Sequence, residues 1–409
     1  MTEQLAVHGG TPALDSVPPL PTWPVFDQTE ERALTGVLRS GHWASTSGQV
    51  VSTFETEFAA YHNAAYGVAL ANGTLGLVAA LKAAGVGVGD EVIVPPYTFI
   101  ATAAAALFVG AVPVFADVQP DTHLLDPQAV EAAITERTRA VVVVHLAGSV
   151  ADLDAFTELG GRHGLAVIED AAQAVGAAWR GRRVGAIGQI GTFSFQSSKN
   201  LTAGEGGIAV TDDEELAARL YGYVNVGRSR TGGWYEHTSV GYNLRITEFQ
   251  AAILRSQMER LDEQQKVRDT NAVDLTERLS RLDGITVDVE PEGVTAHGRH
   301  LFMTRLDGTG GNAALRDAAV KALAAEGVAG VSSGYVPLHR NEAMIAEVRE
   351  LTGRLRQPAP ASDCPVADQV CNDTIWFPQT TLLGTAEQTA AVAAAVAKVV
   401  SHLDQLGSR

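Results

Sequence analysis

Cysteine is nearly absent from this 409-residue chain: Cys364 and Cys371 are the only two. Two thiols do not build a disulfide framework, and their spacing fits no zinc motif. A reduced cytoplasm is the expected setting. Lysine is almost as scarce, with five against twenty-five arginines. The net charge is −17 and no basic stripe is present, which excludes a generic nucleic-acid binder but not a small anionic ligand held by a few local donors. Long hydrophobic runs are lacking too. The longest, Phe99 to Ala116, is interrupted by Thr102, Gly110 and Pro113 and ends at Asp117. It reads as a buried helix followed by a strand, so no membrane partner is expected. The first ten residues hold no basic segment followed by an apolar run, so no signal peptide is expected. There is no Gly-x-Ser-x-Gly elbow, no Walker loop and no His/Cys/Asp cluster with metal spacing. The hydrolase and metal-centre readings lose their usual signatures.

What is present is an apolar content of 46% with 19% charged residues, enough for a substantial core. Residues 1–24 hold five prolines and little periodicity and read as an N-terminal arm. Asp27 caps a helix to about Arg39, and 54–61 is amphipathic. From Tyr66 onward, short apolar strands alternate with helices. Strands are expected at 66–70, 91–94, 113–115, 140–145 and 166–168, and helices at 72–84, 99–109, 127–134 and 151–163. That order predicts an α/β fold with a mainly parallel sheet covered on both faces. Strands at 191–195 and 207–211 extend it. A long helix over 245–272 leaves a large domain, 25–265. A smaller α+β C-terminal domain, 266–409, has strands near Thr286 and Leu301 and a terminal alanine-rich helix.

The chemistry concentrates around Lys199, in Phe193-Ser194-Phe195-Gln196-Ser197-Ser198-Lys199, followed by Gly204-Glu205-Gly206-Gly207. Asp170 ends the apolar run Ala166-Val167-Ile168 upstream. A loop lysine after a strand-end acid suggests pyridoxal phosphate (PLP): the amine binds the aldehyde and the carboxylate pairs with the pyridine nitrogen. A solvated lysine and a helix-capping acid are the alternatives for each residue alone; together they favour the cofactor. Lys199 must lose its proton to react, so its site should depress its pKa. Asn72-Gly73-Thr74 opens a helix whose N–H groups and hydroxyl suit a phosphate, and Ser194 adds a hydroxyl. Phe99, at a strand-to-helix corner, can stack on a pyridine ring. His145 ends a strand and reads as structural.

Taken in order, Ala71-Asn72-Gly73-Thr74, Gly89–Pro95, Thr98-Phe99, Gly110–Asp117, Ile168–Gln173, Phe193–Gly207 and Gly241-Tyr242-Asn243-Leu244-Arg245 resemble the DegT/DnrJ/EryC1/StrS family of PLP-dependent sugar aminotransferases. The resemblance implies PLP fold type I, an aspartate-aminotransferase-like architecture, and a homodimer with shared active sites. It implies Lys199 as the cofactor-bearing amine, Asp170 on the pyridine nitrogen and Phe99 over the ring. It places Gly73, Thr74 and Ser194 on the phosphate, Gln173 near the ring or its hydroxyl, and Asn243 on the phosphate from the partner subunit. His339, in Val336-Pro337-Leu338-His339, matches a segment near the substrate. Family members that deoxygenate carry histidine at the position of Lys199, so the lysine points to amino transfer.

Thr247–Leu254, Gln257 and Arg260–Gln264, with Val7–Ala13 at the start, look like the cyclitol and aminobenzoate branch. The expected function is an aminotransferase that moves an amino group from L-glutamine or L-glutamate to a keto-cyclitol such as a scyllo-inosose, in aminoglycoside or related antibiotic biosynthesis. The alternatives are a nucleotide-linked keto-sugar aminotransferase, with Arg228 and Arg230 as diphosphate donors, an aminohydroxybenzoate-synthase-like dehydratase, and a non-catalytic protein of the same fold.

Overall fold

The computed structural model describes residues 4–307 and 311–407. Runs of β-branched and small apolar residues form a seven-stranded sheet: β1 (Tyr66–Leu70), β2 (Glu91–Val94), β3 (Val112–Phe115), β4 (Thr138–Val144), β5 (Ala166–Asp170), β6 (Ile190–Ser194) and β7 (Gly207–Thr211). The order is β1-β7-β6-β5-β4-β2-β3. Neighbours from β3 to β6 are parallel, while β7 runs antiparallel to both β1 and β6. The sheet's one reversed strand is β7, which follows the β6–β7 hairpin that carries Lys199. Strands such as Ala140–Val144 are buried along their whole length, as expected for a sheet covered on both faces.

The helices follow from capping and spacing. Asp27 caps α1 (Gln28–Ser40), with Glu30 completing a capping box. Then come α2 (Val50–Tyr61), α3 (Gly73–Ala83), α4 (Ala101–Phe108), α5 (Pro127–Ala133) and α6 (Leu153–His163). The apolar run from Phe99 becomes α4 and then β3. No helix of the described residues is long and apolar enough to cross a membrane.

Two elements differ from expectation. A helix α7 (Glu214–Val224), capped by Asp213, was not anticipated, although Leu216, Leu220 and Val224 repeat every four residues. The long helix α8 runs over Glu248–Leu279, a turn later at its start and two turns longer at its end than its apolar pattern suggests. Thr247 and Gln250 form the capping box that sets its start, and buried Leu275 and Leu279 extend its apolar face.

Residues of α8 join two apolar cores. Ala251, Leu254 and Leu261 pack with the large sheet, whereas Ala272, Leu275 and Leu279 pack with a second, three-stranded antiparallel sheet. That sheet holds β8 (Ile285–Val287), β9 (Leu301–Leu306) and β10 (Thr374–Pro378), with the alanine-rich helix Ala386–Val400 against it. Helices Ala313–Ala325, Glu342–Leu355 and Pro365–Asp373 complete this region.

The early segment is less extended than its prolines imply. Short 3-10 turns at Ala6–His8 and Ala13–Ser16 carry buried Leu5 and Leu14 onto the second core. A fully buried carboxylate, Glu326, fastens them: it accepts from Ala6 N (2.8 Å), Ala13 N (2.9 Å) and Lys398 Nζ (2.9 Å). A buried ion pair of this kind is worth little against an apolar substitute, but losing one partner strands the other charge.

Candidate active site

Ligands in an open α/β sheet collect beyond the carboxyl ends of the parallel strands. A cavity of 850 Å³ opens there. Asp170 ends β5, Ser194 ends β6, and Lys199 follows β6 in a turn closed by Lys199 N→Gln196 O at 2.9 Å. Gly73 and Thr74 begin α3 after β1, and Phe99 lies between β2 and α4. With Gln173, these residues all line the one cavity.

Asp170 is 6% exposed. Its Oδ2 accepts from Thr102 Oγ1 at 2.8 Å and its Oδ1 from Ala172 N at 3.3 Å. Burial pushes its carboxyl above the usual range, and Thr102, Ala172 and the Lys199 charge offset this only in part. Lys199 Nζ has no hydrogen-bond or ion-pair partner among the described residues. Burial draws its amine down to about 8 while Asp170 pulls the other way. The acid and the amine share one space without pairing.

The start of α3 supplies donors to the same cavity. Asn72 Oδ1 caps Leu75 N at 2.9 Å, which leaves the N–H groups of Gly73 and Thr74 without an acceptor among the described residues, at the positive end of α3. A Cβ on Gly73 would meet Ser194 Cβ at 2.8 Å, so only glycine lets α3 approach β6 this closely. Gln173 is held at both ends: Oε1 accepts from Ala147 N at 2.6 Å and Nε2 donates to Tyr335 Oη at 3.0 Å. Phe99 stands at the rim, 55% exposed, its ring 6.3 Å from that of Tyr335. These groups fit PLP. Among the described residues the buried carboxylate has no ion-pair partner and the amine is unpaired, with burial drawing it down to about 8, and a helix start with open donors lines the same cavity.

Beneath the site, Glu169 points to the other face of β5, as strand neighbours do. It accepts from Gly185 N, Ile187 N and Gly188 N at 2.7, 2.8 and 2.6 Å and lies 3.1 Å from His145 Nε2. Burial alone would raise its pKa, but the His145 and backbone donors hold it below the usual range. This is the structural role expected of His145.

Four expected residues do not reach the cavity within one chain. Asn243 is exposed, bridged by backbone to Asn225. Arg228 lies over the Trp234 ring at 4.0 Å and bonds its carbonyl. Arg230 lies over Tyr221 at 4.3 Å and pairs with Glu55 at 3.2 Å. Within one chain the arginines serve an aromatic loop and a buried acid. His339 is buried 3.1 Å from Asp368 and lines a separate 210 Å³ cavity beside Phe115. Conversely, Thr102, Glu205, His300, Tyr335 and Trp376 line or support the site without having been singled out. Thr102 sits one helical turn after Thr98 and had a local signal; the last three arrive from beyond α8 and had none.

Fold and site together define a PLP-dependent enzyme of fold type I. The sequence profile of the DegT/DnrJ/EryC1/StrS aminotransferase family matches residues 24–397. This chain belongs to that family and is an aminotransferase. It is 41% identical, over 98% of its length and 99% of the relative's, to the L-glutamine:2-deoxy-scyllo-inosose aminotransferase of Streptomyces fradiae. It is 37% identical to the 3-amino-5-hydroxybenzoate synthase of Amycolatopsis mediterranei, over 94% of this chain and 98% of that one. A crystal structure of 3-amino-5-hydroxybenzoic acid synthase superimposes with TM-score 0.87 at 37% identity, covering 94% of this chain and 99% of the other.

In the cofactor-free protein, modification of Lys199 by an amine reagent should rise with pH around a midpoint near 8, since only the neutral amine reacts. Asp170→Asn removes the attraction that holds the proton, so the midpoint should move lower. Peptide mass mapping across a pH series checks both; a midpoint in the ordinary lysine range would contradict the burial argument.

Proposed function

We propose that this enzyme transfers the amino group of L-glutamine to a keto-cyclitol of the scyllo-inosose type, using PLP, in aminoglycoside or related natural-product biosynthesis. The observation that carries this reading is the charge of the cavity. Among the described residues of one chain, Lys199 is the only lysine or arginine that lines it, beside the carboxylates of Asp170 and Glu205. A nucleotide-linked keto sugar needs donors for its diphosphate, and within one chain Arg228 and Arg230 pair with Trp234 and with Tyr221 and Glu55. A neutral polyol needs none. The 41% identity to the L-glutamine:2-deoxy-scyllo-inosose aminotransferase of Streptomyces fradiae supports the same choice.

In this reading Asp170 holds the ring nitrogen, Phe99 covers the ring, Gln173 meets its edge, and Gly73, Thr74 and Ser194 take the phosphate. When bound, PLP supplies an electron sink for the carbanion at the reacting carbon. Lys199 Nζ, deprotonated, takes the Cα proton of the donor and returns a proton to the carbon that receives the amine. Tethering the base beside that carbon makes both transfers intramolecular. The aromatic wall, with Tyr335 and Trp376 4.5 Å apart and nearly perpendicular, limits water.

The active unit is a homodimer in this proposal. Trp234, Tyr235, Val240 and Tyr242 are 56%, 86%, 93% and 62% exposed in the segment leading to Asn243. Apolar side chains this open suit burial against a second copy, with Asn243 reaching that copy's phosphate site. Two free, buried thiols, Cys364 and Cys371, agree with a cytoplasmic setting.

With L-glutamine present, a neutral keto-cyclitol should be aminated, with the product read by mass spectrometry. Turnover confined to nucleotide keto sugars, with KM raised by Arg228→Ala or Arg230→Ala, would replace this reading. Subunit sharing is tested separately. Mixing inactive Lys199→Ala with an inactive Asn243 variant should restore activity, because one site of the hybrid has both residues. No recovery under demonstrated subunit exchange would mean that Asn243 does not act across the interface.

A further inference from the structure

His300 lines the cavity that holds Lys199, with only 7% of its surface exposed. Its tautomer is set by a neighbour. Asn200 Nδ2 donates to Gly298 O at 2.7 Å and to Arg299 O at 3.1 Å. Both amide hydrogens are spent on carbonyls, so Asn200 Oδ1 is an acceptor only. His300 Nδ1 lies 3.2 Å from that oxygen. Two acceptors do not bond, so Nδ1 carries the hydrogen and Nε2 of the neutral ring keeps a lone pair. Nε2 makes no hydrogen bond among the described residues, and unlike both nitrogens of His123 and His339 it is not sealed from solvent. It is the open atom of a ring on the cavity wall.

The surroundings keep the ring neutral. Burial first, then the charges of Lys199 and Arg268, push its acid form well below the ordinary histidine range. Arg268 is fully buried and bonds Gln379 Oε1 through Nε and Nη2 at 2.9 and 2.6 Å. Asp269 is the acid that acts on it, and Asp170 is the one acid that acts on Lys199.

We propose that His300 is the positioning residue of the reactive amine: Nε2 accepts one N–H of the free, deprotonated Lys199 and so aims the amine's lone pair at the reacting carbon. A neutral acceptor orients the amine without holding a proton on it; a carboxylate at the same place would stabilise the ammonium form and slow proton abstraction. Asn200, next to Lys199 in the chain, couples the lysine turn to the segment that carries His300. This inference rests on Lys199 being the reactive amine.

The test measures the two half-reactions separately by stopped flow. His300→Phe keeps the ring shape and loses the acceptor. It should slow both the L-glutamine and the ketone half-reactions by about 30- to 100-fold, the scale of a misplaced reacting group, with substrate saturation unchanged. His300→Gln, whose amide can donate to Asn200 and still present an oxygen, should recover about a tenth or more of the wild-type rate. Nitrogen NMR of the histidine-labelled wild-type protein should show a ring protonated at Nδ1 alone that does not titrate between about pH 6 and 9, and that signal should vanish in either variant. A slowdown of the ketone half-reaction alone with raised KM would give His300 to the substrate and overturn the proposal. So would unchanged rates, or a ring protonated at Nε2. Lys199→Ala is the control: if it keeps both half-reactions, the assignment of Lys199 itself has failed.

Discussion

The structure turns on a buried acid and a buried amine that share one cavity and do not bond. Asp170 and Lys199 face one cavity, yet neither is the other's ion-pair partner. Burial moves both toward their neutral forms, Asp170 upward and Lys199 to about 8. A direct bond between them would have used up the charge of each. Held apart, the amine can be a nucleophile and a base near neutral pH, and the carboxylate stays free for a cation such as a protonated ring nitrogen.

The sheet enforces that separation. Asp170 pairs in register with Thr192 of the adjacent parallel strand, and the chain must then finish β6 and turn before it reaches Lys199. The antiparallel β7 brings Gly207 so near the start of α3 that a Cβ there would lie 2.7 Å from the Asn72 carbonyl carbon. The lysine turn, the acid strand and the helix that offers open N–H donors are thereby fixed around one volume. On the far face of β5, Glu169 gathers three backbone N–H groups and His145. Its depressed pKa means that its contribution to stability is present above the unfolded carboxylate pKa and is lost as pH falls through the folded value.

Much of this was legible in the order of residues. Alternating short strands and helices gave the parallel sheet, because buried β-branched runs and capped amphipathic segments are local properties. Lys199, Asp170, Gly73, Thr74, Phe99, Gln173 and Ser194 were legible because each stands at a strand end or helix start of that sheet. The N-terminal turns were not, since Leu5 and Leu14 are buried by contacts with residues more than 250 positions away. Nor were His300, Tyr335 and Trp376, which reach the cavity through the second sheet and the loops around it. Arg228 and Arg230 had no local signal for their intrachain partners: Trp234, Tyr221 and Glu55 meet them only through the fold.

The most direct measurement is chemical capture of the cofactor on its lysine. The purified holoenzyme should be yellow, and reduction with borohydride followed by peptide mapping should place the pyridoxyl label on Lys199. Label on Lys82, Lys266, Lys321 or Lys398 instead would contradict the account at its centre.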